Sequence, residues 1–270
     1  VAKERLDVLL VNGGHYETRQ QAQRGIMAGL VRVNGERADK PGTRFLMDVD
    51  IEVIGKEHPY VSRGGLKLAR AIEAFALDLS HKTVLDIGAS TGGFADCSLM
   101  NGAARVYAVD VGYNQLAWKL RQDPRVVVME RTNFRHMKPE DLKGDRPDFA
   151  TIDVSFISLS KILPPLKELL VEHATVVALV KPQFEAGKGQ VGKKGVVRDP
   201  EIHRQVLQGF VDLVRAEGFG LRGLISSPIK GGEGNVEFLG CLTWPDEQGV
   251  ENEEALISTL VKEVHNLPKN

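Results

Sequence analysis

Two patterns of hydrophobic spacing divide the chain. In the first 55 or so residues the apolar runs are short. "RLDVLLV" puts Leu6, Leu9 and Leu10 on one helical face. "TRQQ" then offers Thr18 as an N-cap with Gln21 at the capping-box position, Ala22 and Ile26 follow at helical spacing, and Gly29 ends that helix. "LVRVNGERA" reads as a hairpin, because Asn34-Gly35 supplies the positive φ angles of a tight turn, and "DVDIEVI" alternates as a further strand. So small a core is expected to lean on its neighbour.

After "GKEHPY", punctuated by Gly55 and Pro59, the pattern changes. Five strongly apolar strands, "TVLDIG", "RVYAVDV", "RVVVMER", "DFATIDV" and "TVVALVK", alternate with helical stretches near 92–101, 113–121, 158–170 and 200–217. That alternation predicts a mostly parallel sheet with helices on both faces. "GLRGLISSP" and "NVEFLGCLTW" are joined only by a glycine-rich loop, which predicts an antiparallel hairpin at the sheet edge. "EEALISTLVKEV" closes the pattern as an amphipathic helix with Leu256, Leu260 and Val264 in line, expected to pack on its own domain. The expected organisation is a small α+β unit over 1–55, a linker over 56–61, an α/β unit over 62–245 and a helical segment over 246–270.

Composition narrows this picture only a little. Apolar residues make up 42% and charged residues 26% of 270, ordinary values for a globular chain, and no apolar run approaches the roughly 20 residues of a membrane span. The first residues lack the apolar core of a secretion signal, and Cys97 and Cys241 suggest neither a disulfide framework nor a metal site, so a cytoplasmic protein without bound metal is the expectation. The net charge of -1 hides an asymmetry: six cationic side chains against two acidic ones between Arg19 and Arg44, and six acidic against two cationic from Asp246 onward, Lys269 among the latter.

The stretch "VLDIGASTGGF" carries the first candidate chemistry. A strand, a glycine turn and a helix N-terminus form the nucleotide pocket of such sheets. The spacing here, Gly88-x-x-x-Gly92-Gly93, does not match the G-x-G-x-x-G dinucleotide fingerprint, and Asp86 at the strand end would repel a pyrophosphate. S-adenosylmethionine, with an ammonium, a sulfonium and no phosphate, meets no such conflict, so Asp86 is an expected contact of that cofactor. Asp110 ends the next strand 22 residues past Gly88, where a carboxylate can hold ribose hydroxyls. Gly88, Ser90, Thr91, Gly92 and Gly93 are expected to form the loop. A purely structural turn, or an unrelated nucleotide site, stays open at this point.

Asp153 and Lys181 each end a buried-looking strand, where ligands of open parallel sheets gather. Lys67 lies on the first turn of a helix ahead of the glycine loop, the end at which the helix dipole disfavours a cation. Glu237 interrupts an apolar strand expected at the sheet edge. Taken singly, each reads as a solvated or salt-bridged charge.

Taken together, "VSRGGLKL", "VLDIGASTGGF", "AVDVG", "TIDVSFISL", "LVKPQFEAGKGQVGKKGVVRD" and "GNVEFL" resemble the TlyA family over nearly the whole chain. That family was once labelled haemolysins and is known as ribosomal RNA 2'-O-methyltransferases. The resemblance implies a Rossmann-like class I methyltransferase sheet of the FtsJ type behind an alpha-L RNA-binding domain, the module of small-subunit ribosomal protein four and many pseudouridine synthases. It implies S-adenosylmethionine as cofactor, ribosomal RNA or ribosomal subunits as partner and a cytidine ribose as target. It also implies a Lys-Asp-Lys-Glu tetrad at Lys67, Asp153, Lys181 and Glu237. In such a tetrad Lys181 is the candidate base, which requires its ammonium to lose a proton. Asp153 and Glu237 would orient the lysines, and Lys67 would steady the developing alkoxide. Asn133 stands where related enzymes place an adenine-contacting Asp.

For RNA, Arg19, Arg24, Arg32, Arg37, Lys40 and Arg44 are the expected backbone-tracking cations, and the Gly- and Lys-rich run with Lys193 and Lys194 is expected to be a mobile loop beside Lys181. Two other readings remain: a non-catalytic RNA-binding assembly factor, and a membrane-acting haemolysin, against which the acidic last helix argues.

Overall fold

The computed structural model describes residues 3–55, 58–247 and 249–266. Lys56 and Glu57 of the expected linker, and Lys269 of the tail, lie outside the described residues. The first unit runs β1 (Lys3–Arg5), α1 (Leu6–Asn12), α2 (Arg19–Met27), β2 (Val31–Val33), β3 (Glu36–Arg37), β4 (Arg44–Leu46) and β5 (Ile51–Val53). β3-β2-β5 form one small antiparallel sheet, and β1 pairs with β4, a long-range contact that spacing alone does not predict. The capping box forms as expected: the Gln21 N–H donates to Thr18 Oγ1 and the Thr18 N–H to Gln21 Oε1, both at 3.2 Å. Asn34 and Gly35 sit at φ 51° and 81°, which turns β2 tightly into β3. Leu6, Leu10, Ala22, Ile26, Val31 and Val33 make up the buried core.

The second unit runs α3 (Gly65–Phe75), β6 (Thr83–Ile87), α4 (Gly93–Met100), β7 (Arg105–Val109), α5 (Trp118–Arg121), β8 (Val126–Met129), β9 (Phe149–Ile152), α6 (Leu163–Leu169), β10 (Ala174–Val180), α7 (Pro182–Glu185), α8 (Pro200–Ala216), β11 (Gly220–Ser226), β12 (Phe238–Trp244) and α9 (Glu253–Val264). Its seven strands are ordered β11-β12-β10-β9-β6-β7-β8, with β12 antiparallel to both neighbours and β10, β9, β6, β7 and β8 mutually parallel. The hairpin closes the sheet, but β12 inserts between β10 and β11, so the strand that follows Glu237 is interior rather than at the edge. Being hydrogen-bonded on both sides, it accounts for the unbroken apolar run that follows Glu237. Leu163, Leu166, Phe210 and Leu260 pack one sheet face, and Leu68, Ala71, Phe94 and Leu120 pack the other.

Two expected helices come out shorter. Over 113–121 only Trp118–Arg121 is α-helical, because Gly112 and a left-handed Asn114 (φ 57°) hold the preceding backbone in turns. Over 158–170 a 3-10 turn at Leu159–Lys161 precedes α6, whose Pro164 and Pro165 suit a first helical turn. The buried face of α9 is Ile257, Leu260 and Val261, rotated from the expected line so that it meets α8. At the end of the expected linker, Val61 is buried and its N–H donates to Asp96 Oδ2 at 2.8 Å, so the chain is already anchored on α4 there.

Candidate active site

β6 and β9 are neighbours, yet the chain leaves β6 for β7 on one side and β9 for β10 on the other. That reversal opens a crevice beyond their carboxyl ends. Gly88, at φ 81°, lets the loop after β6 lie directly against the Asp153 carbonyl, a place a Cβ would fill. A cavity of about 370 Å³ opens here, lined among others by Lys67, Ser90, Gly93, Asp153, Lys181 and Glu237.

Four separate elements deliver its charges. Lys67 comes from the first turn of α3, and its Nζ lies 2.5 Å from Glu237 Oε2. Both side chains are nearly sealed from water, 9% and 2% exposed. This carboxylate supplies the counter-charge that the helix terminus withholds. Gly231 lies against the Glu237 carboxylate, where a Cβ would collide with it. Lys181 caps α7, and its Nζ lies 2.5 Å from Asp153 Oδ1 and donates to Ser155 Oγ at 3.1 Å. Asp153, with its side chain 24% exposed, is the more open partner. Behind this pair, Glu185 at the far end of α7 accepts the Ser158 hydroxyl at 2.7 Å and the Leu159 N–H at 2.8 Å, which braces the loop carrying Asp153 and Ser155. Burial pushes the Glu185 carboxyl up, against those two hydrogen bonds.

Four backbone donors of the glycine loop are already committed. Gly88 and Ala89 N–H donate to the Val109 carbonyl, Gly92 N–H to the Ala89 carbonyl, and Ser90 N–H to Asp110 Oδ2 at 2.7 Å. Asp110 Oδ1 takes the Gly112 N–H, also at 2.7 Å. N–H groups so committed cannot cradle a pyrophosphate, whereas each Asp110 oxygen retains a lone pair for a sugar hydroxyl. The donor set therefore fits a cofactor with a ribose and no phosphate.

Two expected cofactor contacts stand elsewhere. Asp86 is 1% exposed and lies beneath the loop: its Oδ1 accepts the Thr151 hydroxyl at 2.8 Å, and its Oδ2 has no hydrogen-bond partner. Burial, reinforced by the charges of Asp153 and Asp110, raises its carboxyl to about 7 despite the hydrogen bond from Thr151. It supports the loop from beneath, because it lies within β6 opposite Thr151 rather than past the strand end. Asn133 is exposed and accepts the Arg135 N–H, capping a short turn at Phe134–His136.

The expected RNA cations are dispersed. Arg19 donates to the buried Asp7 at 3.0 Å, alongside Arg5 and Gln23, so its charge is partly committed. Together these partners, Arg5 foremost, hold the Asp7 carboxyl far below the usual range. Arg32 and Arg37 face each other across the hairpin, the Arg37 guanidinium lies over Gly29, and Arg24 faces the groove between the two units. Lys40 is exposed and Arg44 is on β4. Lys193 and Lys194 occupy an exposed turn, but the run that contains them is anchored just after it. Val196 and Val197 are buried, and Asn235 accepts the Val197 N–H at 3.0 Å while donating to the Gly195 carbonyl at 2.9 Å. The spacing of polar residues concealed this anchor, because Asn235 is some 40 residues away. Missed altogether were Ser155, legible only as a hydroxyl two residues past Asp153, and the cavity-lining pair Glu17 and Arg63, whose side chains meet at 3.3 Å.

A doubly wound sheet with an antiparallel strand inserted near its end, a phosphate-free cofactor loop at the switch point and paired lysines and carboxylates beside it define a methyltransferase of the class I architecture. The FtsJ-like methyltransferase family model matches residues 60–244, and the S4 domain model residues 4–51. YqxC of Bacillus subtilis, named an rRNA methyltransferase, is 57% identical over 97% of this chain and 94% of its own. The 16S/23S rRNA (cytidine-2'-O)-methyltransferase TlyA of Mycobacterium tuberculosis is 47% identical over 87% of this chain and 88% of its own. A solved structure from Streptococcus thermophilus that carries a hemolysin name is 50% identical, covers 98% of both chains and superposes with a TM-score of 0.74. The chain belongs to the TlyA family of FtsJ-like methyltransferases. S-adenosylmethionine is its cofactor, in keeping with the donor set of the glycine loop.

Proposed function

We propose that this chain methylates the 2'-hydroxyl of a ribose, a cytidine by analogy with its relatives, in ribosomal RNA. The observation that carries this reading is the meeting of Lys67, Asp153, Lys181 and Glu237 around one cavity beside the glycine loop. Gly88, Ser90, Thr91, Gly92, Gly93 and Asp110 would hold the cofactor, which when bound supplies an electrophilic methyl group on a sulfonium. Asp153 and Ser155 fix the Lys181 nitrogen, which as the free amine takes the proton from the attacking hydroxyl and passes it to solvent. Lys67, held by Glu237, places a positive charge where the oxygen becomes anionic. Both lysines are fixed before substrate arrives, so little reorganisation is needed at the reacting centre.

In this reading residues 1–55 form the RNA-binding unit, 56–61 the linker, 62–245 the catalytic unit and 246–270 the segment that carries α9. Arg19, Arg24, Arg32, Arg37, Lys40, Arg44, Lys193 and Lys194 position the RNA through its backbone. We place the protein in the cytoplasm, where ribosomal subunits are. Among the described residues no helix is long and apolar enough to cross a membrane, which gives a haemolytic reading no support. The test is methyl transfer from labelled cofactor to undermodified ribosomal subunits, with the label mapped by nuclease digestion and mass spectrometry. Lys181→Ala is expected to abolish transfer while calorimetry shows cofactor binding retained. Substantial turnover in that variant removes Lys181 as the base. RNA binding without transfer by the wild type favours the assembly-factor reading.

A further inference from the structure

The walls of the cavity carry charges beyond the four that the methyl-transfer scheme uses. Its lining cations are Arg63, Lys67, Lys181 and Lys230, and its lining carboxylates are Glu17, Asp153 and Glu237. Lys67 and Lys181 are held by Glu237 and Asp153 at 2.5 Å each, within the methyltransferase fold. Arg63 is held differently. Its partner, Glu17, comes from the loop ahead of α2, in the segment matched by the S4 model, and crosses to the methyltransferase unit at 3.3 Å. Both side chains are about half exposed, 54% and 45%, against 2% for Glu237 and 24% for Asp153. Glu17 is therefore the most open of the three carboxylates, the most weakly held, and the one carried on the RNA-binding unit.

A ribose cannot enter this cavity without its phosphates. A phosphate beside Lys67 meets two lysines already held by carboxylates and the exposed ammonium of Lys230, a point charge, and it gains a planar, bidentate partner only if Arg63 is released. We propose that Glu17 is a built-in stand-in for the phosphate next to the target ribose. It occupies Arg63 in the free protein and gives Arg63 up when RNA engages the S4 unit. Arg63 is then a substrate-positioning residue, and the Glu17–Arg63 pair disfavours short RNA that enters the cavity without touching the S4 unit. Exposed ion pairs are weak, so the exchange needs no large driving force. This inference rests on the RNA-directed reading above.

The test uses the full chain, a short fluorescein-labelled oligouridylate and fluorescence anisotropy across a salt series. Glu17→Gln is expected to bind this probe about two- to fivefold more tightly than wild type, the worth of an exposed pair. The slope of log affinity against log salt is expected to steepen by about 0.7, one phosphate contact on a single strand. In an Arg63→Gln background the same change is expected to bring neither effect. Equal affinity and slope in Glu17→Gln and wild type overturn the proposal, as does a gain that persists without Arg63. Calorimetry with S-adenosylmethionine is expected to show the same affinity in Glu17→Gln as in wild type. A tightening there, with no change in RNA binding, assigns Arg63 to the cofactor carboxylate and also overturns it. The anisotropy measurement requires no turnover, so absent methyl transfer by the wild type would sink the enzymatic reading separately.

Discussion

Removing Lys67 should harm the fold more than removing Lys181, although both lie in one cavity. Lys67 is the ionic partner of Glu237, whose side chain is 2% exposed. Truncation to alanine leaves a carboxylate desolvated and unpaired, a situation that destabilises proteins by about 3–5 kcal/mol. For a chain of this size that corresponds to a fall in melting midpoint of roughly 6–20 °C. Asp153, the partner of Lys181, is 24% exposed, so water can take over part of the lost interaction, and Lys181→Ala should lose about 1–3 kcal/mol. The assay is urea denaturation followed by far-UV circular dichroism, run as a double-mutant cycle with Glu237→Gln. Neutralising Glu237 in the Lys67→Ala background should restore most of the lost stability, although it cannot restore methyl transfer. A Lys67→Ala protein within about 1 kcal/mol of wild type, or one that Glu237→Gln does not rescue, would refute the argument that this pair is sealed from water.

Three other outcomes follow from the same geometry. Gly231 has φ −77°, which alanine accepts, but its Cβ would collide with the Glu237 carboxylate; Gly231→Ala should lower kcat by about 10–100-fold with cofactor affinity intact in calorimetry. Asp86 titrates at about 7 in the fold against about 3.9 unfolded, so its contribution to stability is full below pH 4 and is lost as pH rises toward 7, by up to about 4 kcal/mol. Denaturation curves at a series of pH values should show that decline in wild type and a flatter profile in Asp86→Asn. Asp110→Ala leaves the Ser90 and Gly112 N–H groups without their acceptor, and cofactor affinity in calorimetry should fall about tenfold or more; unchanged affinity would remove Asp110 from the ribose-holding role.

Features that depend on near neighbours were legible along the chain. The Thr18–Gln21 cap, the Asn34-Gly35 turn and the apolar strands from Thr83 to Val180 are read from residues at most a few positions apart, because capping, left-handed turns and strand burial are local preferences. Asp153 and Lys181 stood out as charges that end apolar strands, but the set of four with Lys67 and Glu237 was legible only through the resemblance of six motifs to a known family. Where those side chains point depends on the packing of the whole sheet. Asp86 and Asp153 both stand near strand ends, yet Asp86 lies within β6 opposite Thr151, beneath the loop, while Asp153 lies past the last residue of β9 and reaches the cavity, a difference of depth that the pairing of β6 with β9 sets. The insertion of β12 between β10 and β11 brings Glu237 to Lys67 across 170 positions of chain. The docking of the two units, which no run of residues encodes, brings Glu17 to Arg63. Such contacts form only when the whole sheet buries its faces, so their partners are chosen by packing rather than by spacing.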